Sequence, residues 1–192
     1  MKISKHLLLV ILFFFAATPV AVAQGQDTEE AKIRSAISAA IPSIADQATI
    51  MDWPAEEGAD MKVLRKGANG WTCMPDMPNT PGNDPMCLDE PWLKWVDAWV
   101  NKSETNITQM GFGYMLQGGT AGSNTDPYAE GPTADNEWMS EEAPHLMILV
   151  PDNSMLENLP TNPDNGGPWV MWRNTPFAHV MAPMPLYTPG EN

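Results

Sequence analysis

Two cysteines, Cys73 and Cys87, bracket the segment that most limits how this chain folds. Between them stand Pro75, Pro78, Pro81 and Pro85, with a turn signal at Pro81-Gly82. Proline lacks an amide hydrogen and has a fixed φ, so the segment is predicted to form neither a helix nor a central strand. With no ladder of its own, such a loop calls for a covalent staple. A lone cysteine pair in an oxidising compartment forms a disulfide. Closing a loop of about 15 residues contributes roughly 3 kcal/mol by restricting the unfolded chain. The spacing is not the C-x-x-C of a redox-active pair, so the bridge is predicted to be structural.

The N-terminus agrees with an oxidising compartment. Lys2 and Lys5 are followed by an apolar run from Leu7 to Ala16, and Ala21-Val22-Ala23 is an A-x-A cleavage site. Those are the three parts of a secretory signal, with cleavage expected before Gln24. The run is short of the roughly 20 apolar residues that span a bilayer. No later segment approaches that length, and no cysteine follows the cleavage site to carry a lipid. The protein is therefore expected in the periplasm or the medium, with no membrane anchor after cleavage.

Residues 1–23 read as the signal, 24–47 as a polar tail and helix, and 48–192 as a single domain. Loss of the signal removes two lysines and no acid, taking the formal charge from −14 to −16. An acidic surface keeps a protein soluble. The few remaining Lys and Arg form no patch, which excludes nucleic acid as a partner. A small ligand or an envelope protein remains as the expected partner class.

Along the chain, Ile33, Ile37, Ala40, Ile41 and Ile44 recur at helical spacing after a capping Thr28 or Asp27, and Pro42 kinks or ends that helix. Residues 48–53 read as a strand. Strands 61–65 and 70–74 are predicted to form a hairpin around Lys66-Gly-Ala-Asn69. The strongest helix runs over 91–101, with Leu88, Trp92, Trp95 and Trp99 on one face. Such a stripe fits stacking on a sugar, but its spacing is that of a helix packed on a sheet. Strands follow at 108–116 and 145–150, the latter strongly apolar and central. Residues 117–136 read as a long loop, 151–159 as a short helix capped by Asp152, and 169–173 with 177–181 as a closing hairpin. Two main helices and about seven short strands predict an α+β fold, with a mostly antiparallel sheet and helices packed on one face.

No H-E-x-x-H, G-x-S-x-G or P-loop is present. One constellation goes beyond composition. His145-Leu-Met147 and His179-Val-Met181 are both His-x-Met triplets on predicted strands, which places the members of each on one sheet face. A three-residue loop in the last hairpin sets Arg173 opposite Phe177, Met171 opposite His179 and Trp169 opposite Met181. If the His145 strand lies alongside, His145, Met147, Met171, His179 and Met181 converge. Imidazole with thioether suits copper, Cu(I) above all, or a haem iron. Without C-x-x-C-H, covalent haem is excluded. Against a metal, methionine is an ordinary core filler, and this chain has 14.

Calcium is a second candidate ion, through Asn83, Asp84 and Asp89 or through Asn162, Asp164 and Asn165, although neither stretch has the EF-hand pattern and both suit turns. Paired carboxylates from the acidic loops allow a hydrolase.

The stretches Val63–Asp76, Thr80–Cys87, Ser123–Pro127 and Pro168–Trp172 resemble a family of exported bacterial proteins with no assigned activity. The resemblance covers roughly residues 50–183. It implies a bacterial envelope and no glycosylation of the sequons at Asn101 and Asn106, and it transfers no site residue. The leading expectation is a non-enzymatic exported domain that binds a small ligand, a metal ion or an envelope partner, with a carboxylate hydrolase as the alternative.

Overall fold

The computed structural model describes residues 28–56 and 58–188, so the predicted signal lies outside the described residues. Helix α1 (Glu29–Ser38) starts where Thr28 Oγ1 accepts the Ala31 amide. Pro42 ends the first helical stretch and opens a one-turn helix, α2 (Pro42–Ala45). Eight short strands make one sheet: β1 (Thr49–Asp52), β2 (Lys62–Arg65), β3 (Thr72–Met74), β4 (Met86–Leu88), β5 (Gly111–Met115), β8 (His145–Leu149), β9 (Trp169–Met171) and β10 (His179–Pro183). Two more, β6 (Gly119–Ser123) and β7 (Trp138–Glu142), pair separately. Helix α3 (Glu90–Val100) begins at Asp89, whose Oδ1 accepts the Trp92 amide while Oδ2 accepts the Phe112 amide of β5. The fold is α+β, with a mixed sheet that is antiparallel except between β1 and β3.

The sheet order is β2-β1-β3-β4-β5-β8-β10-β9, with β8 between β5 and β10. The hairpin expected between 61–65 and 70–74 does not form, because β1 lies between those strands. The connection instead wraps the start of β1. The Ala68 amide donates to Gln47 O, and a Cβ on Gly67 would fall 2.2 Å from Thr49 N, a position open only to glycine. The long loop predicted over 117–136 contains β6. Its Gly-Thr-Ala-Gly-Ser sequence carries no apolar alternation to betray a strand.

Cys73 and Cys87 are disulfide-bonded and directly opposite each other in the β3–β4 ladder. The proline-rich stretch between them has no strand, but its ends do, so the staple closes a hairpin. A reciprocal pair holds the loop as well: Asp84 Oδ1 accepts the Met77 amide, and Asp76 Oδ1 accepts the Asp84 amide.

The two main helices cover opposite faces of the sheet, not one. α1 packs Ala36 and Ala39 on the face that carries Ile50, Cys73 and Cys87. α3 packs Trp92 and Trp95 on the face that carries Leu88, Met147 and Met181. The close approach of α3 depends on β5: a Cβ at Gly111 would lie 2.9 Å from Pro91 Cβ and 3.2 Å from Trp92 Cδ1. Among the described residues no helix is long and apolar enough to cross a membrane.

Candidate functional site

The α3 face of the sheet can be laid out in rows from the strand register. One row reads Trp169, Met181, Met147, Gly113 and Leu88 across β9, β10, β8, β5 and β4. On one side of it lie Met171 and His179, paired across β9 and β10. On the other lie Pro183, His145 and Met115, paired across β10, β8 and β5. Continuing the same register, Met86 stands beside Met115, and Met74 beside Met86. The pairings expected for Met171 with His179 and Trp169 with Met181 are present. That of Arg173 with Phe177 is not, since the ladder opens only at Met171 and His179.

All five residues singled out from the sequence, His145, Met147, Met171, His179 and Met181, are buried on this face. The register nevertheless sets His145 and His179 four residues apart along β10, roughly 13 Å at ~3.3 Å per residue. The two imidazoles have different surroundings. His179 sits among the rings of Trp92, Trp95 and Trp172, each 5.2–5.4 Å away and nearly perpendicular to it. Its Nδ1 meets Phe177 O at 2.9 Å.

His145 Nδ1 meets Ala143 O at 2.6 Å. A carbonyl only accepts, so the proton is on Nδ1 and the Nε2 lone pair is bare. That Nε2 is buried and has no hydrogen-bond partner. It lies 3.8 Å from Glu142 Oε2. Burial pushes both imidazoles down to about 4, so both are neutral near pH 7.

Glu142 ends β7 and is the residue that sequence reasoning missed. Its side chain fits because β6 lacks bulk there: a Cβ on Gly119 would lie 2.8 Å from Oε2, and one on Gly122 3.3 Å from Oε1. Burial first, and then the charge of Asp84, pushes Glu142 up to about 7. Asp84 is buried and accepts the Thr120 hydroxyl at 2.7 Å. Asp76, raised mainly by burial, completes a line of carboxyls between two clefts. The cleft at the Glu142 end holds about 450 Å³ and is lined by Asn83, Gln117, Thr120, Ser140 and Glu142. The one at the Asp76 end holds about 530 Å³, between α1 and the disulfide loop, and is lined by Lys32, Arg34, Asp52, Asp76 and Thr80. Nothing in local periodicity marks this cluster, because Asp84 and Glu142 meet only through the β6–β7 pair.

Among the described residues no three His, Cys, Asp or Glu side chains converge on one point. In the two calcium candidates, the side-chain oxygens of Asp84, Asp89, Asn162 and Asn165 already accept protein donors. Asp84 holds Met77 and Thr120, and Asp89 caps α3. Asn162 Oδ1 accepts the Asp164 amide, and Asn165 Oδ1 accepts the Gly167 amide. The donors that the structure brings together are the bare His145 nitrogen and the neighbouring Glu142 carboxyl, 3.8 Å apart. No protein-family model matches the chain, and neither a curated protein nor a solved structure is similar to it.

Proposed function

We propose that this is an exported, non-enzymatic protein that binds one transition-metal ion between His145 and Glu142. The observation that supports it is the buried, unpartnered His145 Nε2 with a carboxylate oxygen 3.8 Å away. A buried acceptor without a donor costs about 1–3 kcal/mol, and ionising the largely buried Glu142 carboxyl beside Asp84 with no counter-charge adds to that. A cation relieves both. Metal bonds to imidazole and carboxylate are about 2.0–2.2 Å long, so two donors at this separation can straddle one ion. Anchoring of the other ring nitrogen by a backbone carbonyl is how ligating histidines are oriented. Export is supported by the N-terminal segment together with the disulfide. A mature chain from the periplasm or medium that begins at Gln24 checks it.

The metal test is retention. Protein stripped with a chelator is loaded with copper or zinc and dialysed. Wild type is expected to keep close to one equivalent, and His145→Asn and Glu142→Gln, checked by circular dichroism for the native fold, less than half of it. Retention below a tenth of an equivalent by wild type, or full retention by both variants, overturns the reading.

One observation favours an acid–base hydrolase instead: Glu142 holds its proton near neutrality at the edge of a cleft, with Asp84 as the second carboxyl. Turnover of a glycoside or ester by metal-free protein, abolished in Glu142→Gln, would select this alternative.

A further inference from the structure

We infer that Asn165 is a site of self-catalysed modification, at which the Gly166 backbone nitrogen expels the side-chain amide as ammonia and leaves aspartate or isoaspartate. Two Asn-Gly pairs stand in the chain, Asn69-Gly70 and Asn165-Gly166. A glycine after asparagine favours this reaction because no Cβ screens the attacking nitrogen. Both asparagines are exposed, so access to water does not separate them. Their hydrogen bonds do.

Asn165 is the last residue of a one-turn 3-10 helix, Pro163–Asn165. Its Oδ1 accepts the Gly167 amide at 2.7 Å, and its Nδ2 donates to Asn162 O at 2.6 Å and to Pro168 O at 3.4 Å. Addition of the Gly166 nitrogen to Cγ develops negative charge on Oδ1. The Gly167 N–H is already directed at that oxygen, as a donor is in an oxyanion hole. The Gly166 N–H itself has no acceptor among the described residues, so no bond must break before it reacts. A Cβ at Gly166 would meet nothing within 4 Å, which leaves the turn open to water. Every partner of the Asn165 side chain lies within three residues of it, so the turn can move with the ring that forms.

Asn69 is held from farther away. Its Nδ2 donates to Ile44 O, 25 residues back in the chain, and its Oδ1 accepts the Trp71 amide at 3.2 Å. Trp71 is fixed in turn, since its carbonyl accepts the Thr49 amide and its ring packs on Tyr114. Ring closure at Asn69 pulls against α2 and against the wrap around β1. The fold thus protects one Asn-Gly pair and leaves the other to react.

The reaction needs only water. The Gly166 nitrogen gives its proton to hydroxide and bonds to Cγ. The Cγ–Nδ2 bond breaks, and that nitrogen leaves as ammonia with a proton from water. Water then opens the cyclic imide. Cleavage of the new Cγ–N bond gives aspartate at position 165, and cleavage at the main-chain carbonyl gives isoaspartate. One water is consumed and one ammonia released, with nothing oxidised or reduced. Either product places a carboxylate where Nδ2 had donated to Asn162 O and Pro168 O. The isoaspartate also adds a methylene to the main chain four residues before β9.

The test follows both sites in one sample. Wild-type protein is incubated at pH 8 in water labelled with oxygen-18, once folded and once in concentrated urea, and its peptides are quantified by mass spectrometry. In the folded protein Asn165 is expected to convert at least tenfold faster than Asn69, with one labelled oxygen per converted residue. In urea the two rates are expected to fall within threefold of each other. Conversion of Asn69 as fast as Asn165 in the folded protein, or no conversion of Asn165, overturns the inference. The same tenfold ratio in urea overturns it too, since local sequence rather than the fold would then set the difference.

Discussion

Gly113 of β5 lies opposite Met147 of β8, and a Cβ on Gly113 would fall 2.8 Å from Met147 Cε and 2.9 Å from Leu88 Cδ2. Trp92 Nε1 is 3.5 Å from the same point. The absence of a side chain here makes room for the Met147 and Leu88 tips beneath Trp92, as Gly111 makes room for Pro91 and Trp92 of α3 itself. Gly113→Ala is expected to destabilise the protein by about 1–3 kcal/mol through overpacking, although the Met147 tip has some freedom to give. Urea unfolding of the variant beside wild type measures it. A variant as stable as wild type would mean that the α3 interface is looser than these distances imply.

Glu142 gives a pH dependence with a definite sign. Its carboxyl is raised to about 7 in the folded protein, against 4.5 for the free side chain. The folded state thus holds a proton that the unfolded state has released. Its contribution is fully present below pH 4.5 and is lost as pH rises through 7, by up to about 3 kcal/mol. Glu142→Gln has no such loss. With chelator present, the stability difference between variant and wild type is expected to shift in favour of the variant from pH 4.5 to 7.5 and then level off. A difference independent of pH would contradict the buried placement of this carboxyl.

His179 has the opposite sign. Burial lowers it to about 4 from 6.5, so its contribution is full above pH 6.5 and is lost as pH falls towards 4. Between pH 6.5 and 5 the loss is about 2 kcal/mol. His179→Phe keeps an aromatic ring among Trp92, Trp95 and Trp172 and removes the titration. Denaturant midpoints at the two pH values should fall further in wild type than in the variant. In the same range, the wild-type His179 ring resonances are expected to show no titration by NMR.

The Cys73–Cys87 bridge ties two directly paired strand residues, with Cys87 packed under Ala36 of α1. Replacing both cysteines by serine is expected to cost about 3 kcal/mol from the loop constraint, and more from placing two hydroxyls in an apolar pocket. Thermal unfolding of oxidised, reduced and double-serine protein separates the two contributions. Reduced protein as stable as oxidised would remove the bridge from the account of stability.

What the sequence revealed depended on range. The caps at Thr28 and Asp152 act over two or three residues and are visible as such. The pairing of Met171 with His179 was legible because a short turn fixes register and strand side chains alternate with period two. The insertion of β1 between β2 and β3 was not, because it is decided by backbone contacts of Gln47 and Thr49 with residues about twenty positions later. The Glu142 site was hidden for the same reason. Its strand is polar and its partner strand is glycine-rich, so neither carries a hydrophobic period. Met115 was readable as a strand residue, but only the β5–β8 register shows that its neighbour is His145.

The position of β1 also sets how the chain must assemble. β9 and β10 are joined by a short connection and can zip as soon as residues 169–183 exist. At the other end of the sheet, β2 and β3 cannot pair with each other on the way to the native state, since any such hairpin occupies the edge that β1 needs. Loop-closure entropy must be met before those non-local pairings reward it. Folding therefore has an early end at the C-terminal ladder and a late end around β1, and the disulfide fixes β3, one of the two strands that receive the late arrival, to β4.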